Sequence, residues 1–340
     1  MKKSLLSISL AAAFVLSTQV LAAPFPQPLR LLSSTPLPAV TGGDFDHFAA
    51  DLTRNRLYVS AEDFGSIEVF DLPLGGHLAS ERNVATHPHK ILLGDDGKAL
   101  FIADAGSSSL KIVDTRSFQI EKTIPVKPQP DSGVADDRTG IFYVGNGGVK
   151  SHEDHAQISL ISMVDGTLLR NIDVPAGQVK AMAIDRGKDR LYINFRDRNE
   201  VGIIDLKTRK MTGIWKVPGP SRNSAMEFDP ATNRLFIGAR NPGKLFVLDT
   251  NEGVVVQALD IVETSDEIIF DTQHHRLYIA GSNGLDVVRQ VDKNHYSVEQ
   301  HVNTFGGKTA IFIPSLEKLY VVHTKGPSSY EAGLQVFSVQ

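Results

Sequence analysis

The side chains that could do chemistry in this sequence are imidazoles, carboxylates and amines, because it holds 11 His, 39 Asp and Glu, 35 Lys and Arg, and no Cys. Without Cys there is no disulfide framework, thiolate nucleophile, Cys zinc site, iron–sulfur cluster or lipid anchor on sulfur. Asp46, His89, Asp131, Lys180, Ser224, Asp266 and Lys308 recur at separations of 43, 42, 49, 44, 42 and 42 residues. If each comes from one unit of a ring, they form a polar girdle around a channel. Asp46, His89 and Asp131, from consecutive units, could converge on one divalent cation, with His47, Asp104 or the histidines His152 and His155 completing the shell. Oxygen-rich sets with one imidazole suit Ca, Mg, Mn or Zn. The competing reading needs no cofactor: Lys180 and Lys308 neutralise the acids in a salt-bridge network around a water-filled channel.

The register of this girdle is uncertain by a residue, and a shift of one replaces it with His47, Lys90, Ser132, Ala181, Ala225, Glu267 and Thr309, which is less polar. Other histidines give weaker signals. His152 and His155 enclose Glu153 and Asp154, which is not the His-Glu-x-x-His zinc helix. His87 and His89 flank Pro88, and an extended His-x-His can turn both rings to one side. His274 and His275 sit in a turn expected on the opposite face, exposed. There is no Gly-x-Ser-x-Gly elbow and no phosphate-cradling Gly-x-x-x-x-Gly-Lys-Ser/Thr loop; Gly145 to Gly148 opens no helix.

The elements that must position these residues are legible as a repeat. An apolar-aromatic-apolar triplet recurs at Leu57-Tyr58-Val59, Leu100-Phe101-Ile102, Phe142-Tyr143-Val144, Leu191-Tyr192-Ile193, Leu235-Phe236-Ile237, Leu277-Tyr278-Ile279 and Leu319-Tyr320-Val321. Turn signals such as Asp51 to Asn55 precede the triplets, and a second β-rich run follows some ten residues on. Units of this length cannot bury a separate core, so each must lean on its neighbours. Short strands in such units predict an all-β fold, a seven-bladed β-propeller of four-stranded antiparallel blades. The last repeat runs out at Gln340 after its third strand, so Leu29 to Leu37 is expected to supply the fourth and close the ring. The girdle residues, eleven before each triplet, then start the innermost strands. The loops after the triplets, which carry Glu62, Asp63, Asp104, Asn146, Asn194, Arg196, Arg240, Asn241, His323 and Lys325, should share that rim. The longest spacing enlarges the loop 147–155, a usual place for function on a rigid scaffold, although a mobile surface turn fits equally.

Lys2 and Lys3 followed by the apolar run Leu5 to Leu16 and by Val20-Leu21-Ala22 have the layout of a signal peptide, with cleavage expected after Ala22. The run is shorter than the roughly 20 residues of a spanning helix. Residues 23–340 are then one domain, periplasmic or secreted, and the loss of two lysines takes its formal charge from −4 to −6. That balance disfavours nucleic acid. No membrane insertion is expected, and the chain is read as a monomer.

The segments Leu-Tyr-Val-Ser, Leu-Phe-Ile-Ala, Leu-Tyr-Ile-Asn and Leu-Tyr-Val-Val, with Val-Phe-Asp-Leu, Ile-Val-Asp-Thr, Ile-Ile-Asp-Leu and Val-Leu-Asp-Thr after them, resemble the YVTN-type β-propeller repeat family. The resemblance covers the mature chain. It implies a secreted or periplasmic binding propeller, and related-looking propellers include lactonases and lyases. The Thr-Asn of the family motif occurs in none of the repeats, so no functional residue is carried over. A WD40 identity is disfavoured by a single Trp, Trp215, and no Trp-Asp pair.

Two functions follow as expectations. The first is non-catalytic binding of a polar small molecule, peptide or envelope protein by Asp46, His47, His89, Asp104, Asp131, Lys180, Arg240, Asp266, Lys308 and His152. The alternative is a metal-dependent hydrolase or lyase, lactonase- or esterase-like, with Asp46, His89 and Asp131 on the ion and His152 or Asp266 as general base.

Overall fold

The computed structural model describes residues 27–340 apart from 95, 220, 221 and 328. The expected signal peptide, residues 1–22, lies outside them. Seven four-stranded antiparallel sheets follow one another as the blades of a propeller. Six blades are built from consecutive strands, the first from Phe45–Asp51, Arg56–Ala61, Ser66–Asp71 and His77–Glu81. The seventh combines Thr309–Ile313, Lys318–His323 and Ala332–Val339 with Leu29–Leu37 as its outermost strand, as the repeat count predicts. The described residues contain no α-helix, only three short 3₁₀ turns.

The triplets form the second strand of every blade and are buried throughout. Their period-2 alternation explains how the blades adhere. In the first blade Leu57 and Val59 pack on one face against Tyr320 and Val322 of the seventh, while Tyr58 faces Leu100 and Ile102 of the second. Each triplet thus joins its blade to both neighbours. Local chemistry ends the inner strands. Asp51, Asp185 and Asp229, six residues before their triplets, accept bonds from turn N–H groups of Arg54 (2.9 Å), Lys188 (3.0 Å) and Ala231 (2.9 Å). Asn55 (φ 54°) and Asn233 (φ 55°) then take the left-handed conformation that Asn tolerates better than most residues.

Closure rests on a long ladder, from Leu29 opposite Val339 to Leu37 opposite Ala332, with a bulge between Leu31 and Ser33. Leu29 is 3% exposed among Tyr278, Phe337 and Val339, and Leu37 is 2% exposed beside Tyr320 and Leu334. The backbone of Leu29 also exchanges two hydrogen bonds with the side-chain amide of Gln300, at 2.8 and 3.0 Å, which fastens the strand to the sixth blade.

Candidate functional site

The inner strands carry a device that strict alternation would not supply. In four blades the register with the second strand shifts at the girdle: between Phe45 and Phe48, Pro88 and Ile91, Val179 and Met182, and Asn223 and Met226. Such irregularities re-aim side chains. Asp46 and His47, which a regular strand would send to opposite faces, both line one cavity. In the other three blades the girdle residue stands just before the inner strand, as Asp131 before Gly133, Asp266 before Glu267 and Lys308 before Thr309.

This cavity occupies one mouth of the channel, has a volume of about 190 Å³, and is lined by all seven girdle residues together with Asp44, His47, Glu62, Ser132, Ala181, Arg196 and Arg240. Five carboxylates face four Lys and Arg side chains in it. One sector is acid and imidazole. His89 Nδ1 lies 2.7 Å from Asp46 Oδ2 and 3.5 Å from Glu62 Oε1, and His47 Nε2 lies 3.3 Å from Asp46 Oδ1. Burial works against a charge on His89, but the hydrogen bond to Asp46 and the nearby carboxylates of Glu62 and Asp131 outweigh it and push the imidazole up to about 10. Burial likewise opposes ionisation of Asp46, and His47 and His89 reverse it, holding its carboxyl well below the usual range. Asp131 is held by the Lys180 ammonium in direct contact.

The opposite sector is cationic. Asp266 binds the Arg240 guanidinium, Lys308 Nζ at 3.0 Å and Ser224 Oγ at 3.2 Å, and Lys308 also contacts Asp44 across the seam between the seventh and first blades. Arg196 is different. It is 7% exposed, and its Nε and Nη2, like Nε of Arg240, have no hydrogen-bond partner among the described residues. Burial first, and then repulsion by Arg240, bring Arg196 down to about 10, which leaves it charged at neutral pH.

Beyond the waist formed by His47, Ser132 and Ala181 a second cavity of about 430 Å³ opens, lined among others by Lys90, Glu227 and Glu267. Burial raises the Glu227 carboxyl to about 7, with Glu267 and Asp229 adding to the effect while Lys90 and the Phe228 N–H oppose it. The folded protein therefore holds this proton more tightly than the unfolded chain, so stability should fall as pH rises from about 4.5 to about 7. Glu227→Gln is expected to flatten that limb and to gain about 2 kcal/mol at pH 7, measured by denaturant unfolding across this range.

The structure brings together Asp46, His47, His89, Asp131, Lys180, Arg240, Asp266 and Lys308 at one mouth. Asp104 is elsewhere. It is 0% exposed and its carboxylate accepts from the His87 N–H (2.8 Å), Ser107 Oγ (2.6 Å) and Lys111 Nζ (2.7 Å), so its strand end turns inward to brace a loop instead of facing the channel. His152 follows the 3₁₀ turn Val149–Ser151 with φ 57° and is not among the lining residues. The enlarged loop leans outward, with Lys127 Nζ 3.2 Å from Glu153 and His155 Nε2 3.5 Å from Asp173. His274 is half-buried, its Nδ1 2.7 Å from Asp271 Oδ2, and His275 is exposed with its Nδ1 3.3 Å from Gln290 Oε1. Asp44 and Glu227 were not singled out by sequence reasoning. The need of Lys308 for a counter-ion across the closing seam was the available signal for Asp44.

No family model matches the chain, and no curated protein matches it. Among solved structures, a chain of the crystal structure of a mitotic checkpoint complex superposes with a TM-score of 0.74 at 14% identity, covering 97% of this chain and 99% of that one. A chain of Kuenenia stuttgartiensis hydrazine synthase gives 0.68 at 14% identity, with 81% and 91% covered. At that identity the likeness is one of fold.

Proposed function

We propose that this seven-bladed propeller is a non-catalytic binding protein of the cell envelope that takes a small anionic ligand, bearing a carboxylate or phosphate, at the mouth lined by Arg196 and Arg240. One observation carries the reading: Arg196 and Arg240 line a polar cavity, and buried guanidinium nitrogens of both have no hydrogen-bond partner among the described residues. Arg240 has Asp266 as its counter-ion, whereas Arg196 has none among the described residues; a buried cation of that kind is costly, and the planar guanidinium fork suits a bidentate oxyanion. The acids nearby are already engaged, Asp266 by Arg240 and Lys308 and Asp131 by Lys180, which leaves these donors to an anion from outside in our reading. The envelope location rests on the layout of residues 1–22 and on the resemblance to YVTN-type propellers. A hydrolytic centre on Asp46, His89 and Asp131 would first have to free Asp131 from Lys180.

The test is calorimetric titration with a panel of small carboxylates and phosphates, on the wild type and on Arg196→Met, which keeps the apolar stem. A charge-assisted hydrogen bond contributes about 1.5–3 kcal/mol, so the variant should bind about 10- to 100-fold more weakly. Without ligand it should unfold at the same temperature as the wild type or higher, because an uncompensated charge has gone. A destabilised variant, together with no arginine-dependent binding in the panel, would overturn the proposal.

A further inference from the structure

We propose that Glu62, His87 and His89 form a binding site for one divalent transition-metal ion at the rim of the channel. Each of the three offers a donor atom, and these atoms all lie within 4.8 Å of one another. His87 stands just before the strand Pro88–Leu93 and His89 within it, so the two-residue separation brings the rings together, with centroids 4.8 Å apart and edge to face. Glu62 enters from the loop after the second strand of the preceding blade. The site therefore straddles a blade boundary.

The separations point to a shared ion. Glu62 Oε2 is 3.8 Å from His87 Nε2, and Oε1 is 3.5 Å from His89 Nδ1. A charge-assisted hydrogen bond would draw such pairs to about 2.7–2.9 Å. Donors bound tetrahedrally at about 2.0–2.1 Å from an ion stand roughly 3.3–3.4 Å apart, close to what is seen. Asp46, Glu62 and Asp63 supply negative charge: Asp46 Oδ2 lies 2.7 Å from His89 Nδ1, and Asp63 Oδ1 lies 3.5 Å from His87 Nδ1, on the ring nitrogen turned away from Glu62. An ion bound to His89 Nδ1 takes the place of the proton shared with Asp46, which remains as an adjacent carboxylate.

The supports are rigid. The backbone N–H of His87 is held by buried Asp104 at 2.8 Å, and the carbonyl of His89 accepts from Ser60 Oγ at 2.7 Å. This assigns to Asp104 a positioning role in place of the direct one expected from sequence. The set Asp46, His89 and Asp131 also converges, but the Lys180 ammonium on Asp131 repels a cation there, whereas no ammonium contacts Glu62 or His87 among the described residues. Two imidazoles with one carboxylate favour Zn²⁺ or its first-row neighbours over Mg²⁺ and Ca²⁺. Glu62 and His89 line the mouth cavity, so the open coordination positions of the ion face it.

The inference is independent of the anion reading and has a separate test. Chelator-treated, tag-free protein is titrated with Zn²⁺ in a calorimeter and with Co²⁺ in a spectrophotometer, beside His87→Ala, the near-isosteric Glu62→Gln and the distant control His155→Ala. Expected are one equivalent of Zn²⁺, visible Co²⁺ absorption bands of a nitrogen–oxygen site, and no competition by Mg²⁺. Both rim variants should weaken binding by more than the 10- to 100-fold that loss of an outer-shell partner costs, and His155→Ala should leave it unchanged. Glu62→Gln removes the carboxylate charge while keeping the shape, so loss of binding in a variant with wild-type thermal unfolding separates ligation from misfolding. No saturable binding in the wild type, or equal binding in the rim variants, would overturn the site.

Discussion

A chain beginning at Pro38 is expected to lose its cooperative fold at ordinary temperature, or to unfold at least about 10 °C below the full domain. Its seventh blade would keep three strands and expose the outer edge of Ala332–Val339, a row of backbone groups now paired from Leu29 to Leu37. Two buried leucines, Leu29 and Leu37, leave the core with it, each a loss of about 2–5 kcal/mol by the usual cost of large-to-small replacement. The Gln300 side-chain amide would be left with a donor and an acceptor unpaired. An unprotected edge invites pairing with another chain, so the truncated protein should also associate. A synthetic peptide of residues 27–37, added in trans, should restore the melting transition and suppress that association by strand addition. A truncated chain that melts as the full domain does would show that the seam between the first and seventh blades suffices without the strand.

The second large effect is expected at Asp266. Its carboxylate serves Arg240, Lys308 and Ser224 at once, while Arg196 beside them has no carboxylate within salt-bridge distance among the described residues. Asp266→Ala leaves a cluster of half-buried cations without its anion and should destabilise the fold by about 3 kcal/mol at pH 7, the lower end of what breaking a buried pair costs. The sign with pH is fixed by the same contacts. Burial opposes ionisation of Asp266, but Lys308 and Arg240 outweigh it and hold the carboxyl well below its usual range. A carboxylate lowered on folding contributes stability above its unfolded value near pH 4, and that stability is lost as pH falls. Thermal unfolding of Asp266→Asn should therefore show a lower plateau at neutral pH and a shallower fall toward about pH 3 than the wild type. Parallel curves for the two proteins would mean that Asp266 is not a net stabilising partner. The variant should also hold added anions more tightly, since two guanidinium groups then lack a carboxylate.

Most of the architecture is readable from local patterns. The triplet Leu57-Tyr58-Val59 and its six counterparts alternate with the pleat, and the Asp six residues before five of them ends the inner strand at a turn; both signals act within a few residues and repeat in phase. Ring closure by Leu29 to Leu37 follows from counting strands. The girdle was legible to within one residue because equivalent blades place equivalent offsets at one height. Its internal pairing was not. The shift of register at Asp46 and His47 brings two successive side chains to one cavity, and a backbone irregularity of this kind leaves no mark in the alternation of apolar residues. Asp104 misled for a related reason. It stands at a strand end like Arg196 and Arg240, yet Lys111 and the N–H of His87 draw its carboxylate inward, and neither partner is foreseeable from spacing.

By itself the sequence determined a ring of seven blades, the strand that closes it and the girdle at the mouth of its channel, because period-2 burial and turn chemistry are encoded by near neighbours. Only the tertiary structure decided which charges neutralise one another, that Arg196 is left with donors unpaired among the described residues, and that Glu62 meets His87 and His89. These contacts cross blade boundaries between residues some 25 to 264 positions apart, where geometry in space and not distance along the chain sets the Coulomb energy.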